Sequence, residues 1–509
     1  MFKRARKGTV AAAAAVALVG ALAACGSDGD SGGSDASVLR IAWENPGSLD
    51  PVKSISGADL PVQYTIYDAL LDYDPETLEL KPALAESWEF TTPTTLDLTL
   101  RDDVKFQDGT DFDAEAVKFN IERSQQEGST SAAELKGVVG VEVVDTHEVV
   151  LDLDKPNAEL LATLAGKPGL MVSPKAAQAD TLGEHPVGAG PFEFVSARNG
   201  AEIVVKKYDG YWNSDLKRAD RIEFKIMALG ATPVNALLTG QVDLIFKPPF
   251  QDLKTIKADS RFQVSEPLTM QSDRIYINAK LAPFDDVRVR QALNYAVDRD
   301  ALLKTIYGGT GETAWTIFSS NHWADNADIV PDQTHDVAKA KQLLAEAGHA
   351  GGIKVKMITR NDPVASRMAE VLQAQLAEAG IDLELVPLDK SEATTKFIEE
   401  QKVPLSLSAA SGRVGAADTL TAYYGADAYL NAGKYDIPGL QAALDGARAS
   451  DDRDAQLPYL LEAQRLIADA AIGVELVHPP YAAAMTKEVK GYTPSIVTIP
   501  KFATIYREQ

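Results

Sequence analysis

Apolar residues along this chain recur with two periods, and the switches between them map its elements. Leu39, Ile41 and Trp43 occupy alternate positions, the mark of a half-buried strand, and Pro46-Gly47 ends the run. Leu96, Leu98 and Leu100 alternate with Thr95, Asp97 and Thr99, and Ile222, Phe224 and Ile226 repeat the pattern. Runs over 141–145 and 149–153 flank Asp145-Thr146, and runs over 192–196 and 201–207 flank Asn199-Gly200, so each pair predicts a hairpin. Single strands are predicted at 242–246 and 274–278.

Helical spacing begins at 59–71, with Pro61 in the first turn, and returns at 157–164. Asp113 stands where an N-cap belongs, with Glu115 in the first turn and Val117 and Ile121 one turn apart. Thr232-Pro233 opens a further helix and Gly240 closes it. From Asp285 onward helices dominate, at 286–297, 299–307, 336–347, 364–379, 390–400, 438–448 and 454–470, with strands between them at 353–358, 381–386, 404–408 and 472–477. Val364, Met368, Val371, Leu372 and Leu376 form an apolar stripe ending at Gly380. The pattern is mixed α/β, with strands and helices interleaved.

At 509 residues the chain exceeds what one core accommodates, so two lobes are expected. Hydrophobic content of 45% and charged content of 24% are those of an ordinary globular protein. A formal net charge of −23 repels phosphate backbones, so nucleic acid is excluded as a partner. The one cysteine, Cys25, follows a basic stretch (Lys3, Arg4, Arg6, Lys7) and an apolar run from Thr9 to Leu22 that is short for a membrane span. Residues 1–24 therefore read as a signal peptide, and Leu22-Ala23-Ala24-Cys25 resembles the lipobox of bacterial lipoproteins. That resemblance implies cleavage before Cys25 and a diacylglyceryl anchor on its thiol. Residues 25–37 form a polar, acidic tether without a packing face.

Catalytic signatures are missing. There is no Gly-X-Ser-X-Gly elbow, Gly308-Gly-Thr-Gly311 lacks the lysine of a phosphate loop, and Gly188-Ala-Gly190 is incomplete as a dinucleotide fingerprint. No two of the six histidines are spaced as a ligand pair on one helix, so no metal and no cofactor are expected. A hydrolase on this scaffold stays open only because carboxylates are abundant. A binding cleft fits better: Glu312–Trp323 is rich in aromatics and hydroxyls, and Trp315 and Trp323 serve either as cleft wall or as plugs between loop and core.

Four linked blocks carry a family resemblance. They are Tyr67-Asp-Ala-Leu-Leu-Asp-Tyr-Asp-Pro75, Pro82-Ala-Leu-Ala-Glu-Ser-Trp88, Leu100–Thr110 and Asp113–Arg123, and similar words continue at Pro186–Phe192, Tyr208–Trp212, Thr239–Asp243, Phe284–Leu293 and Leu343–Gly348. Together they resemble the peptide/nickel/oligopeptide solute-binding proteins, the receptors of ATP-driven importers. The resemblance implies an α/β, two-lobed periplasmic-binding-protein-like fold with a hinge. Its first lobe would comprise 38–65, 186–278 and 478–509, a subdomain 66–185, and a second lobe 279–477. It also implies a monomer that takes a short peptide or other small solute and works with permease and ATPase subunits at the membrane.

The same resemblance nominates site residues. Arg360 matches the arginine that holds a ligand carboxylate in dipeptide-binding relatives, the alternative being a surface arginine paired with Asp362. At Ser411–Asp418 the chain departs from the peptide-binding pattern: Arg413 replaces a tryptophan, Ala416 stands where an aspartate pairs the peptide's amino group, and Asp418 comes two residues late. Glu44, directly after the first strand, completes the set of candidate ligand contacts. An anionic ligand, met by Arg360 and Arg413, is the expectation. A glycan, metal chelate or acidic metabolite is the alternative to a peptide.

Overall fold

The structure, a computed structural model, describes residues 37–326, 328 and 334–508. Cys25, the signal segment and all of the tether but Ser37 lie outside them. Three sheets organise the chain. The first has seven strands, in the order Phe262–Ser265, Ala483–Thr486, Leu244–Phe246, Val38–Trp43, Arg221–Ile226, Glu202–Lys207 and Phe192–Arg198. Val38–Trp43 runs parallel to both neighbours, pairing Leu39 with Ile222 and Ile41 with Leu244. Its alternation does what the period requires: Leu39 and Ile41 are buried with Val62, Phe192, Phe224 and Phe502. Trp43 closes that core, meeting Phe246 and Phe502 edge-on at 5.3 and 5.4 Å.

The second sheet has six strands, in the order Glu312–Thr313, Gly473–His478, Ser272–Ile277, Leu405–Ala410, Ile353–Arg360 and Ile381–Leu388. Ile353–Arg360 is parallel to both neighbours, as a strand between crossover helices should be. Ile275 and Ile277 pack on one face with helices Val287–Ala296, Arg299–Tyr307, Val337–Glu346 and Pro363–Glu378. Tyr276, from the opposite face, packs with helices Ala416–Tyr424, Leu440–Arg448 and Arg453–Ala470. The third sheet is antiparallel, in the order Ala85–Thr92, Thr95–Leu100, Glu148–Leu153 and Val138–Asp145. Helix Ala114–Gln125 belongs to its core, capped by Asp113, whose carboxylate accepts from the Ala116 amide at 2.9 Å.

Three features differ from the sequence reading. The helix expected over 59–71 ends at Ile66, because the next backbone groups are claimed elsewhere. The Leu70 amide donates to the Gly169 carbonyl, Met171 donates to Asp68, and Leu71–Tyr73 pairs with Leu80–Pro82. Strand Ser272–Ile277, grouped by sequence with the first lobe, pairs in the second sheet. The Ser411–Asp418 region runs into a helix, Ala416–Tyr424, that periodicity did not reveal. Gly188-Ala-Gly190 has a packing explanation. A Cβ on Gly188 or Gly190 would lie 2.4 Å or 2.6 Å from the backbone of Ile66, so only glycine fits.

Candidate functional site

Two segments carry the chain between the first and second sheets, 266–271 and 479–482. They run side by side: the Tyr481 amide donates to the Pro267 carbonyl at 3.2 Å, and His478 Nδ1 lies 3.0 Å from the Gln271 carbonyl. Paired short crossovers between two sheet-centred lobes are the geometry of a hinge. Parallel strands gather ligands outside their carboxyl ends. Arg360 ends one such strand and Ser411 follows another in the second sheet, and Glu44 follows Trp43 in the first.

Around Arg360 a charged cluster assembles. Its Nη2 lies 3.1 Å from Asp362, the side chain is about one-third exposed, and its buried Nε has no hydrogen-bond partner. Asp273, at the start of strand Ser272–Ile277, two strands over and directly after the crossover, accepts a hydrogen bond from the Tyr307 hydroxyl at 2.6 Å. Burial pushes the Asp273 carboxyl up to about 6, against the pull of the Tyr307 hydrogen bond and of the Arg360 charge. His478 contributes a buried Nε2, also without a partner. The pairing of Arg360 with Asp362 thus forms, and it leaves the buried Nε without a partner.

The second group gathers on the 411–418 arm. A Cβ on Gly412 would lie 2.0 Å from Met270 Cε, so the arm rides directly on the crossover. Arg413 is tied down: its Nη1 donates to Glu134 at 2.7 Å and its amide to Thr419 Oγ1 at 2.8 Å. Asp418 accepts from Arg448 Nη2 at 3.0 Å and Thr163 Oγ1 at 3.4 Å, which neutralises the carboxylate a ligand ammonium would need. Glu159, 4% exposed, accepts from the amides of Ala417 and Asp418 at 2.9 and 2.7 Å. Burial and the Asp418 charge nevertheless push its carboxyl up to about 7.

The tryptophans separate. Trp323, with Arg453 4.9 Å above its ring, lines a cavity of about 400 Å³ together with Leu80, Trp88, Glu159 and Val414. Trp315 stacks under buried Arg299 at 4.1 Å and borders a cavity of about 190 Å³ with Glu312, Asp325 and His478. Glu44 is exposed, its charge felt by Tyr481 on the crossover. Sequence reasoning did not single out Asp273, Tyr307, His478, Glu159 or Arg448. It also missed Arg274, buried beneath Tyr276 and Tyr424 and ion-paired with Glu475 at 3.2 Å. The elements read from the sequence contain several of these residues, Arg274 in the strand over 274–278 among them, but nothing in their local pattern marked a site role. Among the described residues no group of three His, Cys, Asp or Glu side chains is placed to hold a metal ion.

Residues 79–431 match the model of bacterial extracellular solute-binding proteins, family 5 Middle. The glutathione-binding protein GsiB of Salmonella paratyphi A is 29% identical over 472 residues, covering 89% of this chain and 91% of that protein. Heme-binding protein A of Haemophilus influenzae is 28% identical over 498 residues, covering 91% and 90%. Among solved structures, the ABC transporter-associated periplasmic binding protein DppA from Helicobacter pylori, in complex with peptide STSA, superposes with a TM-score of 0.81 at 25% identity, covering 93% of this chain and 98% of that one. The periplasmic binding protein AgaA from A. tumefaciens R10, in complex with agropinic acid, gives 0.82 at 26% identity, covering 93% and 99%.

Proposed function

The chain belongs to the family 5 bacterial extracellular solute-binding proteins, and from that premise we propose that it captures a small anionic solute, a short peptide or peptide-like acid, between two lobes and delivers it to a membrane permease. The family's members are transport receptors rather than enzymes, so the chain is the extracytoplasmic substrate-binding receptor of an ABC importer. Its two-lobed fold is shared with DppA and AgaA. We divide it into lobes where the chain crosses between sheets, with 38–65, 186–271 and 479–509 in the first, 66–185 as subdomain, and 272–478 in the second.

One observation carries the anionic ligand. Arg360 ends a parallel strand beside the crossovers and holds a buried Nε donor that no protein group takes. A carboxylate or similar planar anion satisfies such a donor with a charge-assisted bond. The neutralised Asp418 supports an acid over a free ammonium. A non-peptide acid is the second reading. It is favoured by the same neutralised aspartate and by the likeness to AgaA, whose complex holds agropinic acid.

Among the described residues no helix is long and apolar enough to cross a membrane. We assign attachment to a lipid on Cys25, a single protomer sufficing for capture. Cys25→Ser should move the protein from the membrane fraction to the soluble one without changing its melting temperature, and a variant that still pellets in high salt overturns the assignment. The ligand itself is tested by native mass spectrometry of purified protein. A retained small acid supports the reading, and a retained cation or neutral glycan overturns it.

A further inference from the structure

We propose that Glu159 is a latch of the closed form, joining the segment that carries the four-stranded sheet to the first turn of helix Ala416–Tyr424 in the second lobe. The inference rests on the hinge reading above.

The joint is made of several contacts, and one differs in kind. Lys155 meets Asp445 at 3.1 Å and Arg413 meets Glu134 at 2.7 Å, but these pairs are substantially exposed and screened by solvent. The Ala158 amide donates to the Arg448 carbonyl at 2.8 Å. Among the described residues of this joint, Glu159 alone sends a buried carboxyl group across, where each oxygen takes one amide of a helix start. That helix has no cap of its own, because its N-cap residue is Gly415. The glycine is needed for the approach: a Cβ there would lie 2.3 Å from Glu159 Oε2. A side chain from more than 250 residues away thus replaces the local cap and receives the positive end of the helix dipole.

Several charges face this group. Asp418 repels it from the same helix, and Arg448 attracts it from helix Leu440–Arg448. Glu79, Asp451 and Arg453 ring the cavity that it borders. With the joint shut, burial and Asp418 outweigh the two amides and Arg448, and the carboxyl titrates at about 7. With the joint open, it returns toward the ordinary glutamate range near 4.3. Closure therefore takes up a proton. It is favoured as pH falls from about 7 toward the open-state value, by up to about tenfold per pH unit, and is indifferent to pH above 7.

Hydrogen exchange of the full chain from pH 5.5 to 8.5, corrected for intrinsic rates, reads the Ala417 and Asp418 amides directly. In the wild type their protection should fall as pH rises to 7 and then level off. Glu159→Gln, whose single carbonyl oxygen can keep one of the two amides and cannot titrate, should hold that amide's protection independent of pH, and Glu159→Ala should lose protection of both at least tenfold. Unchanged protection in Glu159→Ala, or a wild-type pH profile in Glu159→Gln, overturns the latch. Small-angle scattering on the same samples separates the two readings. An expanded Glu159→Ala supports a latch, whereas lost protection at constant radius shows a static cap, which overturns the latch and leaves the receptor function standing.

Discussion

Arg360 and Asp418 carry opposite expectations because their surroundings differ. Removing the Arg360 guanidinium strands a ligand anion, and truncating one partner of such a pair costs about 2–5 kcal/mol. Arg360→Ala should therefore weaken binding by roughly thirtyfold to several thousandfold in calorimetric titration with the retained solute. Asp418→Asn should change affinity far less, since Arg448 already occupies that carboxylate. Asp68 allows a separate test of burial. It accepts from the Trp212 ring N–H at 2.7 Å, and desolvation, resisted by that bond, raises its carboxyl from 3.8 to about 7. The folded state holds a proton that the unfolded chain has already released, so this group's contribution is greatest below pH 4, is lost as pH rises toward 7, and is constant above. Asp68→Asn keeps the acceptor and removes the titration. Its stability relative to wild type, from urea unfolding, should grow by about 1.4 kcal/mol per pH unit across that window.

At the scale of elements, aspartates do most of the local punctuation. Asp113, Asp298, Asp336, Asp362, Asp389 and Asp452 each accept helix-start amides. Asp113→Ala should lower unfolding free energy by about 1 kcal/mol in denaturant titration, within a range of roughly 0.5–2. The Asp113 cap, the leucine alternation at Leu96–Leu100 and most of the stripe on helix Pro363–Glu378 were legible in the sequence because each is settled within a few residues; Met368, Leu372 and Leu376 are buried, whereas Val364, at the first turn, is exposed. Helix Ala416–Tyr424 was not, since Gly412 and Gly415 read as loop and its cap arrives from Glu159. The end of helix Asp59–Ile66 was hidden for a similar reason: Gly169, Gly190 and Leu80–Pro82 take the backbone groups that would have extended it. The candidate site was half legible. Arg360 announces itself at a strand end, but Asp273 acquires meaning only through Tyr307, 34 residues on.

For the whole molecule, the paired crossovers predict a hinge movement with a thermodynamic signature. Solute at about a hundred times its dissociation constant should add roughly 2.7 kcal/mol of stability and raise the melting temperature. Scattering should show a smaller radius of gyration at saturation, and an unchanged radius would contradict closure around the solute.

The position of one strand also bears on how the receptor is made. Ala483–Thr486 lies between Leu244–Phe246 and Phe262–Ser265, and Phe502 and Ile505 complete the core beneath Trp43. A polypeptide threaded out of the cell amino end first must wait for these last residues before its first sheet closes. Until then two strands flank an empty lane, with unpaired backbone that invites intermolecular pairing. A chain stopped just before Pro479 is therefore no shortened receptor. It is an unfinished first lobe, expected to aggregate or be degraded, and its biogenesis depends on keeping that lane unoccupied until Ala483–Thr486, the last strand of that sheet, arrives.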